Sequence, residues 1–328
     1  MYAQLKIGLR TVLYRSGLAR WIGRRSIRDA LTVVMFHRVL PVDDPRWASA
    51  DPIYTMELSV FRDFLAWARR SFQPVSFALL EKAADGAVEL PPHALLVTLD
   101  DGWHDTYRYA APALAAQSVP SLLFITSGAL GKDLTLWRDA AALLMRDGVL
   151  AGSPETVMAS LESLPAGQRE ALLAQALDRA PHLRPLMMET DCLTSLESMG
   201  MAVGGHGVTH TPLTEAPDPD AELSGCRTGL ARAAGPCGVS SFAFPHGRYS
   251  PELLNRGFAA GFRFLFTSDS FVNRLRGRKP ASPVLGRIAI SQQDITDTTG
   301  RFSPQRALFF LMYRRPRSLD ARRGAFPA

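Results

Sequence analysis

Short apolar runs that alternate with helical segments constrain the fold of this chain more than any other feature of its sequence. Each run has four to seven residues, the length of a strand buried on both faces of a parallel sheet. These runs predict strands at 32–37, 95–100, 121–126, 201–204, 241–244, 263–267 and 284–289. The segments between them predict helices near 57–70, 76–84, 105–117, 219–234, 251–260 and 304–314. This alternation is typical of an α/β fold with a mainly parallel sheet or barrel.

The stretch 136–199 departs from this alternation, because its pattern is typical of helices and contains no strand. It therefore predicts an insertion of several helices. No internal repeat or low-complexity linker divides the chain, whose 328 residues suffice for one large α/β domain. We therefore predict a single domain at 31–295, a basic amphipathic helical extension at 1–30, and a C-terminal helix with a basic tail at 296–328.

Basic residues are concentrated at the two ends of the chain, which has a formal net charge of +6. Residues 1–28 contain seven Lys or Arg and no acid, and residues 301–328 contain seven Arg against the single acid Asp320. The middle of the chain is close to neutral and carries no recognisable nucleic-acid-binding motif. We therefore expect no nucleic-acid partner.

Residues 4–28 combine apolar and basic side chains on a predicted helix. Such a helix could lie in an anionic membrane interface. It could equally dock on the domain with its basic face in solvent, and the sequence leaves both interpretations open.

The sequence predicts a cytoplasmic protein, and the membrane interpretation would place it peripherally on the inner face of the cytoplasmic membrane. The N-terminal residues lack the apolar core of a signal peptide. The uncharged stretch 109–131 is broken by Pro112 and Pro120, so we predict a helix and a strand there and no transmembrane helix. The three cysteines show no CxxC spacing, which favours a reducing compartment and gives no sign of a thiolate zinc site.

Two adjacent carboxylates, Asp100 and Asp101, end the predicted strand in the sequence "LLVTLDDG". The carboxyl ends of parallel strands converge on one rim, where binding sites are built. A helix N-cap would explain one aspartate. Two neighbouring carboxylates repel each other unless a cation or a proton lies between them, so the pair favours a cation site.

Two histidines, His206 and His210, stand four residues apart in "VGGHGVTH", after another short apolar run. This spacing can direct both imidazoles to one metal ion, although two surface or capping histidines can have the same spacing. With a strand-end carboxylate they would form a two-His, one-carboxylate set, which leaves coordination positions open for water and substrate. Such a set is typical of a hydrolytic metal site.

Taken together, the motifs resemble those of the NodB-type polysaccharide deacetylases, a carbohydrate esterase superfamily that includes chitin and peptidoglycan deacetylases. The resemblance rests on "TLDDG", "HGVTH" and "FAFPHGRYS", with "VVMFHRVLP" near the start and "VLGRI" near the end. These motifs follow the family's order across residues 32–289. The resemblance implies that residues 31–295 form an irregular (β/α) barrel of about seven strands, with the helical insertion at 136–199.

The resemblance also implies roles for five of these residues. Asp101, His206 and His210 would hold a divalent metal ion, and Asp100 would be the general base that takes a proton from the attacking water. The backbone N–H of His246 would stabilise the oxyanion that forms on the substrate carbonyl.

This sequence departs from the family pattern at three points. Gly207 follows the first histidine, where a hydroxyl residue is usual, and His246 replaces the tyrosine of the third motif. The C-terminal L-x-H, whose histidine protonates the leaving amine, is missing because no histidine follows His246. An exopolysaccharide-associated branch that deacetylates poly-N-acetylglucosamine carries the equivalent histidine at an N-terminal strand end, which His37 in "VVMFHRV" matches. We therefore predict His37 as the general acid, with His246 as the alternative.

Four further residues have two interpretations each. Arg287 in "LGRI" could orient Asp100 and keep it ionised, or form an ordinary surface ion pair. Trp103, Trp137 and Tyr249 could line a sugar-binding groove, where aromatic faces stack on pyranose rings, or pack in the core. His37 could likewise be a hydrogen-bonded core histidine.

The sequence thus predicts a metal-dependent hydrolase that removes acetyl groups from N-acetylated amino sugars of a polysaccharide or a lipid-linked glycan precursor. Zinc is the default metal, and cobalt, nickel or iron suit the same ligands. A deformylase or an O-acetyl esterase would use the same groups on another acyl substrate. A catalytically silent glycan-binding homologue is the alternative from a different class.

Overall fold

A computed structural model describes residues 11–131, 137–146, 148–178, 187–234 and 239–319 of the chain. Its strands are β1 (Ala30–Phe36), β2 (Arg38–Leu40), β3 (Thr55–Glu57), β4 (Gln73–Pro74), β5 (Ala94–Leu99), β6 (Ser121–Ile125), β7 (Met201–Gly205), β8 (Ser241–Ala243), β9 (Phe264–Phe266), β10 (Val272–Arg276), β11 (Lys279–Pro280), β12 (Val284–Leu285), β13 (Ile288–Ala289) and β14 (Pro316–Arg317). Its α-helices are α1 (Leu18–Ser26), α2 (Leu58–Ser71), α3 (Phe77–Ala84), α4 (Ala111–Ala116), α5 (Trp137–Arg146), α6 (Pro154–Ser163), α7 (Ala166–Asp178), α8 (Cys192–Ser198), α9 (Pro219–Ala234), α10 (Pro251–Ala259), α11 (Gln292–Ile295) and α12 (Pro304–Met312).

Parallel strands curl into an irregular barrel in the order of the chain. β1, β5, β6, β7, β8 and β9 are successive parallel neighbours. The segment 284–289 then joins the two ends of the sheet, because β12 pairs with β9 and β13 pairs with β1. This topology confirms the predicted α/β fold and the barrel of about seven strands.

Alternate residues of the strands pack into two different layers of the core. Val33 of β1 and Leu96 of β5 belong to the interior cluster of the barrel, together with residues of α3. Val34 and Val97, one residue further along each strand, pack in a second cluster with Phe61 and other residues of α2. Both faces of the sheet are therefore apolar, as expected for strands covered by helices.

The start of three helices follows directly from a Ser–Pro pair in the sequence. α6, α10 and α12 begin at Pro154, Pro251 and Pro304, and the serine before each proline accepts a hydrogen bond from a backbone N–H in the first turn. Proline suits this position because its missing N–H would have no helical partner, and the serine satisfies one of the remaining donors.

Each predicted strand coincides with an observed one to within two residues, with one exception, whereas the short strands β2, β3, β4 and β14 were not predicted. The predicted strand at 284–289 consists of β12 and β13, separated by Gly286 and Arg287. The predicted helix at 105–117 begins as a π-helical turn at Thr106–Ala110 and continues as α4. The β10–β11 hairpin was not predicted, since β10 alternates buried residues with exposed arginines and lacks a continuous apolar run.

The predicted insertion is helical in its described part, where it contains α5 to α8. Ala141, Leu144, Leu161 and Leu173 form a small apolar cluster of their own. Residues 132–136, 147 and 179–186 lie outside the described residues.

The N-terminal helix α1 docks on α12. The hydroxyl of Tyr313 donates a hydrogen bond of 3.0 Å to the carbonyl oxygen of Ala19, and a Cβ placed on Gly23 would lie 2.8 Å from Met312 Cβ. Among the described helices, none combines the length and the apolar content needed to cross a bilayer. The division of the chain at 1–30, 31–295 and 296–328 stays a prediction, and residues 1–10 and 320–328 lie outside the described residues.

Candidate active site

The alternation of side chains along β1 and β5 brings two predicted site residues to the mouth of the barrel. Val33 and Leu96 point into the barrel interior. Because residues two apart in a strand share a face, His37 and Asp100, each four residues further along, continue the inward register. The two strands pair in parallel up to the residues directly before this pair. His37 and Asp100 therefore follow adjacent strand ends at one rim.

The backbone reverses this alternation at Asp101. In a regular strand Asp101 would face away from Asp100, but its φ of 81° lies in the left-handed region and turns both carboxylates into one cavity. Gly102 follows with φ 90°, and a Cβ there would lie 3.1 Å from a methyl carbon of Ile125. The glycine of the "DDG" motif is therefore required by both its conformation and its surroundings.

Strained backbone is concentrated at this rim. Six non-glycine residues in the described chain have positive φ, and three of them line the cavity: Asp101, His210 (66°) and His246 (56°). Such conformations cost on the order of 1 kcal/mol each and persist where the surrounding structure holds them, often at functional sites.

Asp101, His206 and His210 form a compact group of candidate metal ligands. One ligand atom from each lies within 4.8 Å of the others. Oδ1 of Asp101 is 3.5 Å from Nε2 of His206 and 3.2 Å from Nε2 of His210. Nδ1 of His206 lies 2.8 Å from the carbonyl oxygen of Ala243. When the neutral ring donates to this carbonyl, Nε2 carries the lone pair that a metal requires.

The chemistry of this group fits a divalent cation. Oδ1 of Asp101 is buried, and among the described residues no donor makes a well-oriented hydrogen bond to it. The other oxygen, Oδ2, accepts a hydrogen bond of 3.0 Å from the indole N–H of Trp103. Burial alone would raise the pKa of Asp101, but the neighbouring imidazoles hold it well below its usual range. An ionised carboxylate with one unsatisfied oxygen facing two imidazoles is a suitable ligand set for zinc or a similar ion.

Asp100 lies beside this group, with Oδ2 3.9 Å from Nε2 of His206, and forms an ion pair with Arg287. The guanidinium donates two hydrogen bonds to the carboxylate, Nη1 to Oδ1 at 2.6 Å and Nη2 to Oδ2 at 2.9 Å. Both side chains are almost fully buried. Burial alone would raise the pKa of Asp100, but the charges of Arg287 and His206 outweigh burial and lower it. Asp100 is therefore an oriented, ionised carboxylate beside the candidate ligands.

A glutamate from helix α9 organises the loop between the two histidines. Oε2 of Glu222 accepts hydrogen bonds from the backbone N–H groups of Val208 (2.7 Å) and Thr209 (3.1 Å), and Oε1 accepts one from the Thr209 hydroxyl (2.7 Å). Gly207 has φ 79°, and a Cβ there would lie 2.9 Å from the same carboxylate. Glu222 was not predicted from the sequence, since its only local signal is its place in the first turn of a helix.

The site opens into a cavity of about 340 Å³ that His37 also lines. The rings of His37 and Tyr54 lie 4.7 Å apart, and burial lowers the pKa of His37 although Asp101 and Asp100 act in the opposite direction. Arg38, another residue not anticipated from the sequence, places its guanidinium 4.5 Å from the centre of the Trp103 ring.

Arg38 also forms a buried ion pair with Asp105, in which its Nη2 lies 2.7 Å from Oδ2. Arg38 thus packs on Trp103 while its guanidinium is held by Asp105, and Trp103 in turn donates to the candidate ligand Asp101. Trp103 is 1% exposed, so it is a buried part of the cavity lining.

The structure places the remaining predicted residues at different distances from this centre. The ring of His246 lies 4.8 Å from that of His210, and burial, reinforced by His210, lowers the pKa of His246 to about 3. Tyr249 packs behind the wall, with its ring 5.6 Å from that of Phe244 and its hydroxyl donating to Asp269 at 2.7 Å. The side chain of Trp137 lies outside the described part of the structure. The roles predicted for these residues stay predictions.

This arrangement can combine three chemical operations in one cavity. The two imidazoles and Asp101 can hold a cation, the ionised Asp100 can accept a proton, and the partly exposed His37 can exchange one. An acyl substrate placed between them would meet all three groups.

Comparison with known proteins identifies a matching family and a related enzyme. The family model described as polysaccharide deacetylase matches residues 87–265, more than half of the chain. The match excludes His37 and Arg287. A segment of 69 residues is 35% identical to the poly-beta-1,6-N-acetyl-D-glucosamine N-deacetylase of Escherichia coli (strain K12), and it spans 21% of this chain and 10% of that protein.

Two solved structures share the fold at low identity. IcaB from Ammonifex degensii is 20% identical, with a TM-score of 0.56 over 81% of this chain and 94% of that chain. The Streptococcus pyogenes deacetylase PplD, solved in complex with acetate, is 16% identical, with a TM-score of 0.58 over 87% of this chain and 99% of that chain. These two structures support the barrel architecture.

Trp103→Phe should weaken metal binding while leaving the barrel folded. The substitution removes the hydrogen bond to Oδ2 of Asp101 and keeps an aromatic ring over Arg38, and loss of such a contact behind a ligand lowers metal affinity by about 10- to 100-fold. Zinc affinity measured by competition with a chromogenic chelator checks this expectation, with the exposed Trp21→Phe as the matched control. Equal affinities in both variants would show that Trp103 does not support the ligand.

Proposed function

This chain belongs to the polysaccharide deacetylase family, and from that premise we propose that it is a metal-dependent hydrolase that removes acetyl groups from N-acetylated amino sugars of a polysaccharide or a lipid-linked glycan precursor. One observation carries the proposal: a single cavity joins three candidate metal ligands to a separate, ionised carboxylate. The name of the Escherichia coli protein supports an amino-sugar substrate. Because the aligned segment spans 10% of that protein, the proposal extends to the substrate class and not to that polymer.

In the proposed reaction Asp101, His206 and His210 hold the metal, for which zinc is the first choice and cobalt, nickel or iron are alternatives. When bound, a divalent cation supplies Lewis acidity, which lowers the pKa of water and polarises an amide carbonyl. The buried position of Asp101 and the carbonyl contact of His206 support this assignment, because both fix the direction of a ligand atom.

Asp100 acts as the general base. It takes a proton from water as the water oxygen forms a bond to the carbonyl carbon of the acetamide. Arg287 is a positioning residue in this step, since its two hydrogen bonds keep the carboxylate ionised and fix the direction of its oxygens. The backbone N–H of His246, on the loop at the cavity rim, is the proposed donor to the oxyanion.

His37 acts as the general acid. It gives a proton to the amine nitrogen as the carbon–nitrogen bond breaks, which releases acetate and leaves a free amino sugar. Its place at the strand end next to Asp100 supports this role, because both side chains line the cavity that contains the candidate metal ligands. The ring of His246 packs on the ligand His210, a position that suits a structural contact better than proton transfer to a leaving group.

Acetate release from a panel of N-acetylated glycans and lipid-linked amino sugars tests the proposed function directly. We expect acetate from at least one member of the panel, loss of release after treatment with a chelator, and recovery on addition of zinc. Release of formate, or of acetate from O-acetyl esters alone, would replace the proposed substrate class. A protein that binds the glycans, releases no acid and holds no stoichiometric metal would identify a silent glycan-binding homologue.

Asp100→Asn should keep the metal and lose turnover, whereas Asp101→Asn should lose both. The expectation follows from the different main partners of the two carboxylates: Asp100 accepts both hydrogen bonds of Arg287, whereas Asp101 lies closest to the two imidazoles. Metal content per chain and acetate release are measured on the same preparations, and circular dichroism verifies that each variant is folded. Arg287→Lys, which keeps the charge but loses the paired hydrogen bonds, should lower turnover without loss of metal. Wild-type acetate release from Asp100→Asn would remove this residue from the base role.

His37→Ala should lower turnover by roughly 100- to 10,000-fold, the usual effect of removing a proton donor. His246→Ala keeps the backbone N–H and should have a smaller effect. Steady-state rates of the two variants on one substrate compare them. An unchanged rate for His37→Ala together with an inactive His246→Ala would transfer the acid role to His246.

A further inference from the structure

The N-terminal helix α1 has two apolar faces, and only one of them packs on the part of the chain that the structure describes. Ala19 and Gly23, one helical turn apart, are buried against α12. Leu18, Trp21 and Ile22 have the i, i+3, i+4 spacing of a second face, and their exposed fractions are 44%, 62% and 39%. Docking on the domain therefore accounts for the small residues of α1 and leaves its large apolar side chains in solvent.

This concentration of exposed apolar side chains is unusual within the described chain. Nine large apolar residues are exposed there, and five of them lie on or beside this helix: the three on its outer face, Val12 in the preceding turn, and Tyr313. Tyr313 is joined to the helix by its hydrogen bond to Ala19. A clustered apolar surface of this kind marks an interaction site more often than scattered single residues do.

Every charged side chain between residues 11 and 28 is positive, and the first acid, Asp29, follows α1. Arg15, Arg20, Arg25 and Arg28 are exposed, and residues 11–28 contain no acid. Arg25 continues the outer face at i+7 from Leu18, and its guanidinium lies 5.9 Å from the centre of the Trp21 ring. A symmetric dimer through this face would bring these arginines against their own copies, which is electrostatically unfavourable. A surface of anionic lipid headgroups complements both the apolar residues and the charge.

We propose that the outer face of α1 binds the surface of an anionic lipid bilayer. Leu18, Trp21 and Ile22 enter the headgroup region, and the flanking arginines contact lipid phosphates. α1 leads into β1 at the end of that strand opposite His37, and the seven residues of β1 span roughly 20 Å. The catalytic cavity stays open at a distance from the lipid, so this binding does not depend on the proposed reaction.

Sedimentation of the full chain with lipid vesicles tests the proposal. We expect binding to vesicles of equimolar phosphatidylcholine and phosphatidylglycerol, and much weaker binding to phosphatidylcholine alone. Trp21→Gln with Ile22→Gln should abolish sedimentation, and Arg20→Gln with Arg25→Gln should lower partitioning by about fivefold per arginine removed. Glutamine keeps helix propensity, and neither pair touches the buried face of α1.

Matched controls come from other exposed helices. Leu172→Gln on α7 and Arg227→Gln with Arg232→Gln on α9 should sediment like the wild type, and acetate release from a water-soluble substrate should be the same in every variant. Equal binding by the wild type and the Trp21, Ile22 variant would overturn the proposal, as would absence of binding to anionic vesicles. Light scattering that shows a dimer dissolved by the same substitutions would identify this face as a contact between two copies of the chain instead.

Discussion

Two adjacent carboxylates at the end of a buried strand are stabilised here by the side chains that face them, chiefly Arg287 for Asp100 and the two imidazoles for Asp101. Asp100 accepts both hydrogen bonds of the Arg287 guanidinium. Asp101 faces the imidazoles of His206 and His210. Without these partners, like charges so close together would drive one carboxyl group to take up a proton. The electrostatic balance that lets the fold tolerate the pair also separates a candidate base from a candidate metal ligand.

The segment that closes the barrel also positions Arg287. Arg287 and Gly286 lie between β12 and β13, the two short strands that join β9 to β1. The side-chain amide of Asn273 on β10 binds both backbone groups of Gly286. Its oxygen accepts a hydrogen bond from the Gly286 N–H at 2.9 Å, and its nitrogen donates one to the Gly286 carbonyl oxygen at 2.9 Å. A Cβ on Gly286 would lie 2.5 Å from the ring of Phe271. Packing of the last barrel segment thus fixes the guanidinium that orients Asp100.

The sequence was most informative where structure is local and least informative where it depends on distant contacts. Apolar runs and strand-end motifs predicted the parallel strands, and alternation along β1 and β5 explains why His37 and Asp100 point inward. The contacts of Glu222 with the histidine loop and of Arg38 with Trp103 join residues far apart in the chain, and no spacing rule reveals them. The left-handed conformation of Asp101 was also hidden, because a strand pattern predicts the opposite side-chain direction.

Backbone strain and incomplete hydrogen bonding meet in the same residues of the cavity. Asp101 and His210 adopt positive φ values of 81° and 66°, and the buried Oδ1 of Asp101 lacks a well-placed donor. Each feature destabilises the folded chain by on the order of 1 kcal/mol or more. The hydrogen bonds of Trp103 and Glu222 hold these groups in place nonetheless. A cation bound between them would satisfy the orphaned oxygen, and the free energy of its binding would offset the strain. The free energy of unfolding of the metal-bound chain should therefore increase with the affinity of the site for the metal.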